Sequence, residues 1–240
     1  MGAQLSNRIP AAELTAASLF ADDRSPSARV PPKTAPARSY PPRDPQAPPR
    51  LLDLSAFYNA TLTETWHGRG GGPPNDLAEL PTGLQTLAGI EFDVRGIVQL
   101  KGKAPSITNY PAQIKGIPVR QKCRHLYFLH SAGVGKIADE GKEIGSYVIH
   151  YATSQMRLEV PIVYGQAMRD WHTQPDEPPP GPDLQVAWTG ENENSKRAGQ
   201  KIRLFLTTWT NVMPNLEIDS IDFVSAMANP GPFLIAITAD

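Results

Sequence analysis

The chain has 240 residues, 40% of them hydrophobic, with 23 basic side chains against 24 acidic ones and a formal net charge of -1. That is enough apolar material for one all-β domain of about 200 residues, and it lacks the basic surplus through which counterion release drives nucleic-acid binding. The single cysteine, Cys123, excludes an intrachain disulfide and a cysteine-rich zinc site, so packing has to hold the fold together.

At the amino end, MGAQLS fits the short N-myristoylation pattern, but one acyl chain holds a membrane only marginally and coincidence is the plainer reading. The apolar patch 16–21, bracketed by Glu13 and Asp22, is too short for a secretion-signal core or a spanning helix. No transmembrane segment is expected, and a cytoplasmic location is the default. From Arg24 to Arg50, Pro26, Pro31, Pro32, Pro36, Pro41, Pro42, Pro45, Pro48 and Pro49 are interleaved with Arg29, Lys33, Arg38 and Arg43. Proline fixes φ and removes donors, and few apolar side chains are present to offset ordering entropy, so residues 1–50 are expected to be a disordered Pro/Arg-rich arm. It reads either as a PxxP-type docking segment or as a spacer.

The folded domain is expected over 51–240. Leu52, Leu54 and Phe57 predict a first strand, and the glycines and prolines of 68–74 predict a long surface loop. Asp76-Leu77-Ala78-Glu79 has the cap pattern of a one-turn helix stopped by Pro81. Ile90, Phe92 and Val94 alternate with Glu91, Asp93 and Arg95 until Gly96 breaks the register, and 123–130 is apolar on both faces, as a central strand is. The clearest signal lies in 144–164. There Tyr147, Ile149 and Tyr151, then Met156, Leu158, Val160, Ile162 and Tyr164, mark the core face of a β-hairpin turning at 153–155. A second long loop over 165–183 leads to strands at 184–189, 201–209, 217–227 and 233–238. The sum is an all-β fold, a jelly-roll-like antiparallel β-sandwich preceded by a disordered Pro-rich arm.

The segments GIEFDVRGIVQL, LEVPIVYG, RDW, AWTG, IRLFLTTWTN, IDSIDFVSA and PFLIAIT together resemble a bacterial β-sandwich domain of the galactose-binding-like superfamily, over 51–240. The resemblance implies a jelly roll with first and last strands side by side. It also implies a non-catalytic accessory or sensor module for a glycan or polysaccharide, because many members are carbohydrate-binding modules of larger proteins. Members also act as protein-binding or spacing domains, so a structural or protein-interaction role is the alternative, and a small hydrolase is a third.

Sugar recognition needs a flat aromatic face flanked by planar hydrogen-bonding side chains on loops. The residues that offer this are Trp66 and His67 at the first long loop, Arg169, Asp170, Trp171 and His172 at the second, and Trp209 with Asn211 at a strand end. The competing reading makes the tryptophans core residues. Asn75 and Asp76 are candidate oxygen ligands for a calcium ion, although Asp76 is also explained as a helix cap. No other cofactor is expected.

His67, His125, His130, His150 and His172 fall in no metal-binding spacing. Cys123, between Lys122 and Arg124 and near His125, has the neighbours that lower a thiol pKa, but lone strand cysteines are mostly packing residues. No catalytic residues are assigned. The expected partner is a carbohydrate or a protein, and the oligomeric state is left open.

Overall fold

The computed structural model describes residues 38–67, 72–153 and 156–240. A hairpin of β1 (Gly83–Leu87) and β2 (Ile90–Val94) is followed by β3 (Val98–Gln99), β4 (Gln113–Gln121), β5 (His125–Gly133), β6 (Glu143–Tyr151) and β7 (Arg157–Val163). Then come β8 (Gln185–Gly190), the short helix α1 (Glu193–Ala198), β9 (Ile202–Thr210), β10 (Ile218–Ser225) and β11 (Gly231–Ala239). One sheet has the order β3-β11-β5-β9-β8 and the other β4-β10-β6-β7, with antiparallel ladders throughout. Successive strands cross from sheet to sheet except at the β6–β7 and β8–β9 connections, and β3 lies beside β11. This is the winding of a jelly roll.

Between the two sheets lies the first core, and its centre is a stack of rings. Phe128 on β5 packs 3.9 Å from Tyr147 on β6, which packs 5.0 Å from Phe223 on β10. The hairpin register follows the alternation in the sequence, with Tyr147 opposite Val160 and Ile149 opposite Leu158. Met156 departs from it and is exposed, because it precedes β7 and lies beyond the edge of the covered area. His130 is wholly buried in this core, yet it is satisfied. Thr207 donates its hydroxyl to Ala167 O, so its oxygen accepts from His130 Nε2, and Nδ1 is left to accept from the Tyr147 hydroxyl at 2.9 Å.

The five-stranded sheet has a second core on its other face. Phe92, Val94, Leu129, Ile202, Leu204, Phe233 and Ile235 form it together with Ala60, Leu62, Trp66, Leu77 and Leu80 from the segment before β1. The expected first strand over 52–57 is absent. Leu51 makes a single bridge to Thr238, Leu52 N donates to Ile237 O, and the chain then turns, with Leu51, Leu52 and Leu54 buried. Asp76 starts no helix. Its carboxylate accepts from Ala78 N in a local turn, and the α-helix among the described residues is α1, capped by Asn192 and ended by left-handed Gly199.

The folded body starts at Arg38, earlier than the expected boundary at Leu51. Tyr40 packs 5.1 Å from Tyr58 and donates to its carbonyl, while Arg43 bonds the Asp93 carboxylate at 2.7 Å and Leu51 O at 2.6 Å. Prolines here hold an extended path that these anchored side chains tie down, so 38–50 are part of the fold. The remainder of the predicted disordered arm, 1–37, lies outside the described residues. No helix among the described residues is long and apolar enough to cross a membrane.

Arg95 and Asp93 make the most enclosed ion pair, with side chains 3% and 2% exposed and Nε 2.9 Å from Oδ2. Arg95 also reaches Asp53 and Ser55, and Arg43 adds a second cation to Asp93. Arg95→Ala leaves that carboxylate buried with a single partner, and it is expected to cost about 3–5 kcal/mol of stability in urea unfolding. A loss within the surface range of about 0.5 kcal/mol would show the pair to be dispensable.

Candidate functional site

At the end of the five-stranded sheet where β5 stops and β9 begins, a cleft of about 280 Å³ opens between the loops. Its walls are His67 and Asn75 from the segment before β1, Val134 and Gly135 after β5, Asp170, Trp171, His172 and Gln174 after β7, and Asn194 and Gln200 around α1. The backbone here is specialised. Val134 has φ 63°, the left-handed region that a β-branched residue rarely occupies, and Gly135 N donates to Asp170 Oδ2 at 2.6 Å. Gly133 is needed because a Cβ there would lie 2.1 Å from the His67 ring.

Behind the cleft is a column of rings. Trp66 lies 4.7 Å from Trp171, Trp171 stacks on His172 at 4.4 Å and 17°, and Phe233 meets both tryptophans edge-on. His67 packs edge-on against Trp171. Gln99 sets the polarity of His67. The Trp66 indole can only donate, and it donates to Gln99 Oε1, while Gln99 Nε2 donates to Leu100 O. Oε1 is therefore an acceptor, and His67 Nε2, 2.6 Å away, carries the proton.

Burial lowers the His67 pKa to about 4, so its Nδ1 bears a bare lone pair at neutral pH. That atom is shut from solvent and has no hydrogen-bond partner, and the same is true of His172 Nε2. Burial also holds His172 down to about 4, with the nearby Arg203 charge adding to it. It acts oppositely on Asp170, whose carboxyl is pushed up to about 7 although Gly135 N and His172 N both donate to it.

Several residues expected at a site converge here, in different roles. His67, Asn75, Asp170, Trp171 and His172 meet at the cleft. Trp171 is only 2% exposed and Trp66 5%, so neither offers a free face for stacking. Arg169 does not reach the cleft. It is buried, with Nε on Glu140 at 2.6 Å and Nη1 on Pro178 O, so it is not free to bind hydroxyls. Trp209 and Asn211 lie at the far end of β9 from the cleft, and Asn211 is occupied by Tyr151, Cys123 O and Met213 N.

The oxygens proposed for calcium are engaged as well. Asn75 Oδ1 accepts from Asn192 Nδ2 and Asp76 Oδ1 from Ala78 N, and no group of three His, Cys, Asp or Glu side chains suited to a metal converges among the described residues. Cys123 is buried and its thiol is pushed up to about 11, opposite to the activation its basic neighbours suggested. A larger cleft of about 520 Å³ beside it, at the opposite end of the sandwich, is lined by Lys122, Arg124 and His125 together with Asp240, which lies 3.6 Å from His125.

Sequence reasoning did not single out Gln174, Asn194 or Gln200. Gln174 Nε2 donates to Gly135 O, which leaves its Oε1 free, and the Asn194 and Gln200 carboxamides make no hydrogen bond within the described protein. No protein-family model, curated protein or solved structure matches the chain.

Two outcomes follow from the buried rings. Trp171→Ala is expected to destabilise the fold by about 3–5 kcal/mol, since it empties the centre of the ring column; a variant as stable as the parent would mean the ring is peripheral. The second concerns pH. His67, His172 and His130 have folded pKa values of about 4, 4 and 3, below the ordinary 6.5, so the stability they contribute is complete above 6.5 and is lost as pH falls toward 4. Asp170, raised from 3.8 to about 7, has the opposite sign, favouring the fold more at low pH and less as pH rises through 7. With three groups against one, the urea midpoint is expected to fall between pH 6.5 and 4, and a rising midpoint would contradict the neutral imidazoles.

Proposed function

We propose that the chain is a non-catalytic binding module of the galactose-binding-like kind, holding a carbohydrate in the cleft at the end of the five-stranded sheet, as an accessory or sensor part of a larger bacterial system. The observation that carries this reading is the pair of uncommitted carboxamides, Asn194 and Gln200, at a cleft whose other walls are a partly exposed imidazole and further amides. A carboxamide both donates and accepts in one plane, which is what neighbouring sugar hydroxyls require. His172, stacked on buried Trp171, is the ring that meets the sugar face.

The cleft volume, about 280 Å³, falls just below the ~300–1,000 Å³ typical of small-molecule sites and suits a single sugar unit at a chain end. Its lining contains no serine, threonine or cysteine among the described residues, which favours binding over covalent catalysis. The large exposed apolar side chains, Met156, Val186 and Val212, sit on separate elements and give a protein-docking role no focus.

A glycan array probed with the full chain tests the reading. Binding to a defined glycan set is expected, and Asn194→Ala with Gln200→Ala should weaken it about tenfold, the loss of two neutral hydrogen bonds, while circular dichroism stays unchanged. An array without signal, or retention of full binding by the folded double variant, removes the cleft from consideration as a glycan site.

A further inference from the structure

Resting on that reading, we infer that the cleft selects an uncharged, hydroxyl-rich sugar and rejects uronate, sulfated and phosphorylated sugars. The argument is one of unmet hydrogen-bonding valence and of charge. Among the described residues the lining has no lysine or arginine. The nearby guanidiniums are committed, Arg203 to Glu177 Oε1 at 2.5 Å and to Asp170 O, and Arg169 to Glu140 and Glu177. The one ionisable acid in the wall, Asp170, adds negative charge whenever it is ionised. An anion entering here loses its hydration and meets no fixed cation among the described residues in return.

The free valence points the same way. His67 Nδ1 and Gln174 Oε1 can only accept, and the carboxamide oxygens of Asn194 and Gln200 add two further acceptors. A hydroxyl satisfies such atoms by donating. A carboxylate, sulfate or phosphate oxygen has no proton to give, so it can use only the N–H half of the two carboxamides and leaves these acceptors unpaired.

The test is an NMR titration of the ¹⁵N-labelled full chain at neutral pH, following the side-chain amide signals of Asn194 and Gln200. The probes are the methyl glycosides of galactose, glucose and mannose, the three matching uronates, and the methyl esters of those uronates. At least one neutral glycoside should shift both amide signals, its uronate should bind about tenfold more weakly or worse, and the ester, neutral again, should recover most of the affinity. Asn194→Ala and Gln200→Ala should abolish the response of the remaining amide.

A uronate that binds as well as its neutral parent, or better, overturns the selectivity and leaves the glycan reading standing. An ester as weak as the uronate overturns it too, because bulk and not charge would then be the cause. If no neutral sugar and no uronate moves either amide signal, the selectivity and the glycan reading fall together.

Discussion

Every residue of β11 is buried, from Gly231 to Ala239, and a strand in that position needs cover on both faces of its sheet. The opposing sheet supplies one cover, through Tyr147 and Phe223. The other has to come from outside the sandwich, and the stretch before β3 provides it. The hairpin β1–β2 and the irregular chain leading to it lay Phe92, Val94, Leu62 and Trp66 over Phe233 and Ile235. Most of the departures from an ordinary two-layer jelly roll trace to this demand for a third layer. That includes the early start of the folded body, whose Tyr40 and Arg43 brace the added layer against Tyr58 and Asp93.

The added layer also explains where the cleft lies. It brings Trp66 and His67 to the end of the sheet, next to the turn after β5 and the loop after β7, so the ring column and the cleft wall come from segments far apart in the chain. An irregular layer carries many polar groups inward, and each is matched: Asp93 by Arg95 and Arg43, Asn59 by Gln99 N and O, Trp66 by Gln99. Against that background of pairing, the unmet nitrogens of His67 and His172 stand out.

What the sequence made legible follows a physical line. Strands with one apolar face announce themselves by alternation, as β6, β7 and β10 do, and β5 announces itself by being apolar on both faces; each falls close to where its pattern puts it. β4 does not, because Gly116 with φ 71° and Pro118 interrupt a mostly exposed edge strand. The segment 38–50 was read as an arm because proline-rich composition hides its partners, Asp93 and Tyr58, which come from elsewhere in the chain. Of the RDWH stretch, Asp170, Trp171 and His172 line the cleft, while Arg169 is held away from it by Glu140 and Pro178 O. Burial of Trp171 depends on Trp66 and Phe233, and nothing local to residue 171 encodes it. Asn194 and Gln200 carried no signal, since one amide in a short helix and one just after it form no pattern. The capping pair Asn192 and Ser195 with Gly199 did mark α1 for a reader looking for it.

Gln99 gives the cleft a kind of inheritance. Its amide is oriented by main-chain carbonyls at the start of β11 and by an indole that can only donate, and it passes that orientation to His67. The choice of which imidazole nitrogen keeps its lone pair is therefore made by the backbone of the sheet. One isosteric change at Gln99 would rewrite the donor–acceptor pattern a ligand meets.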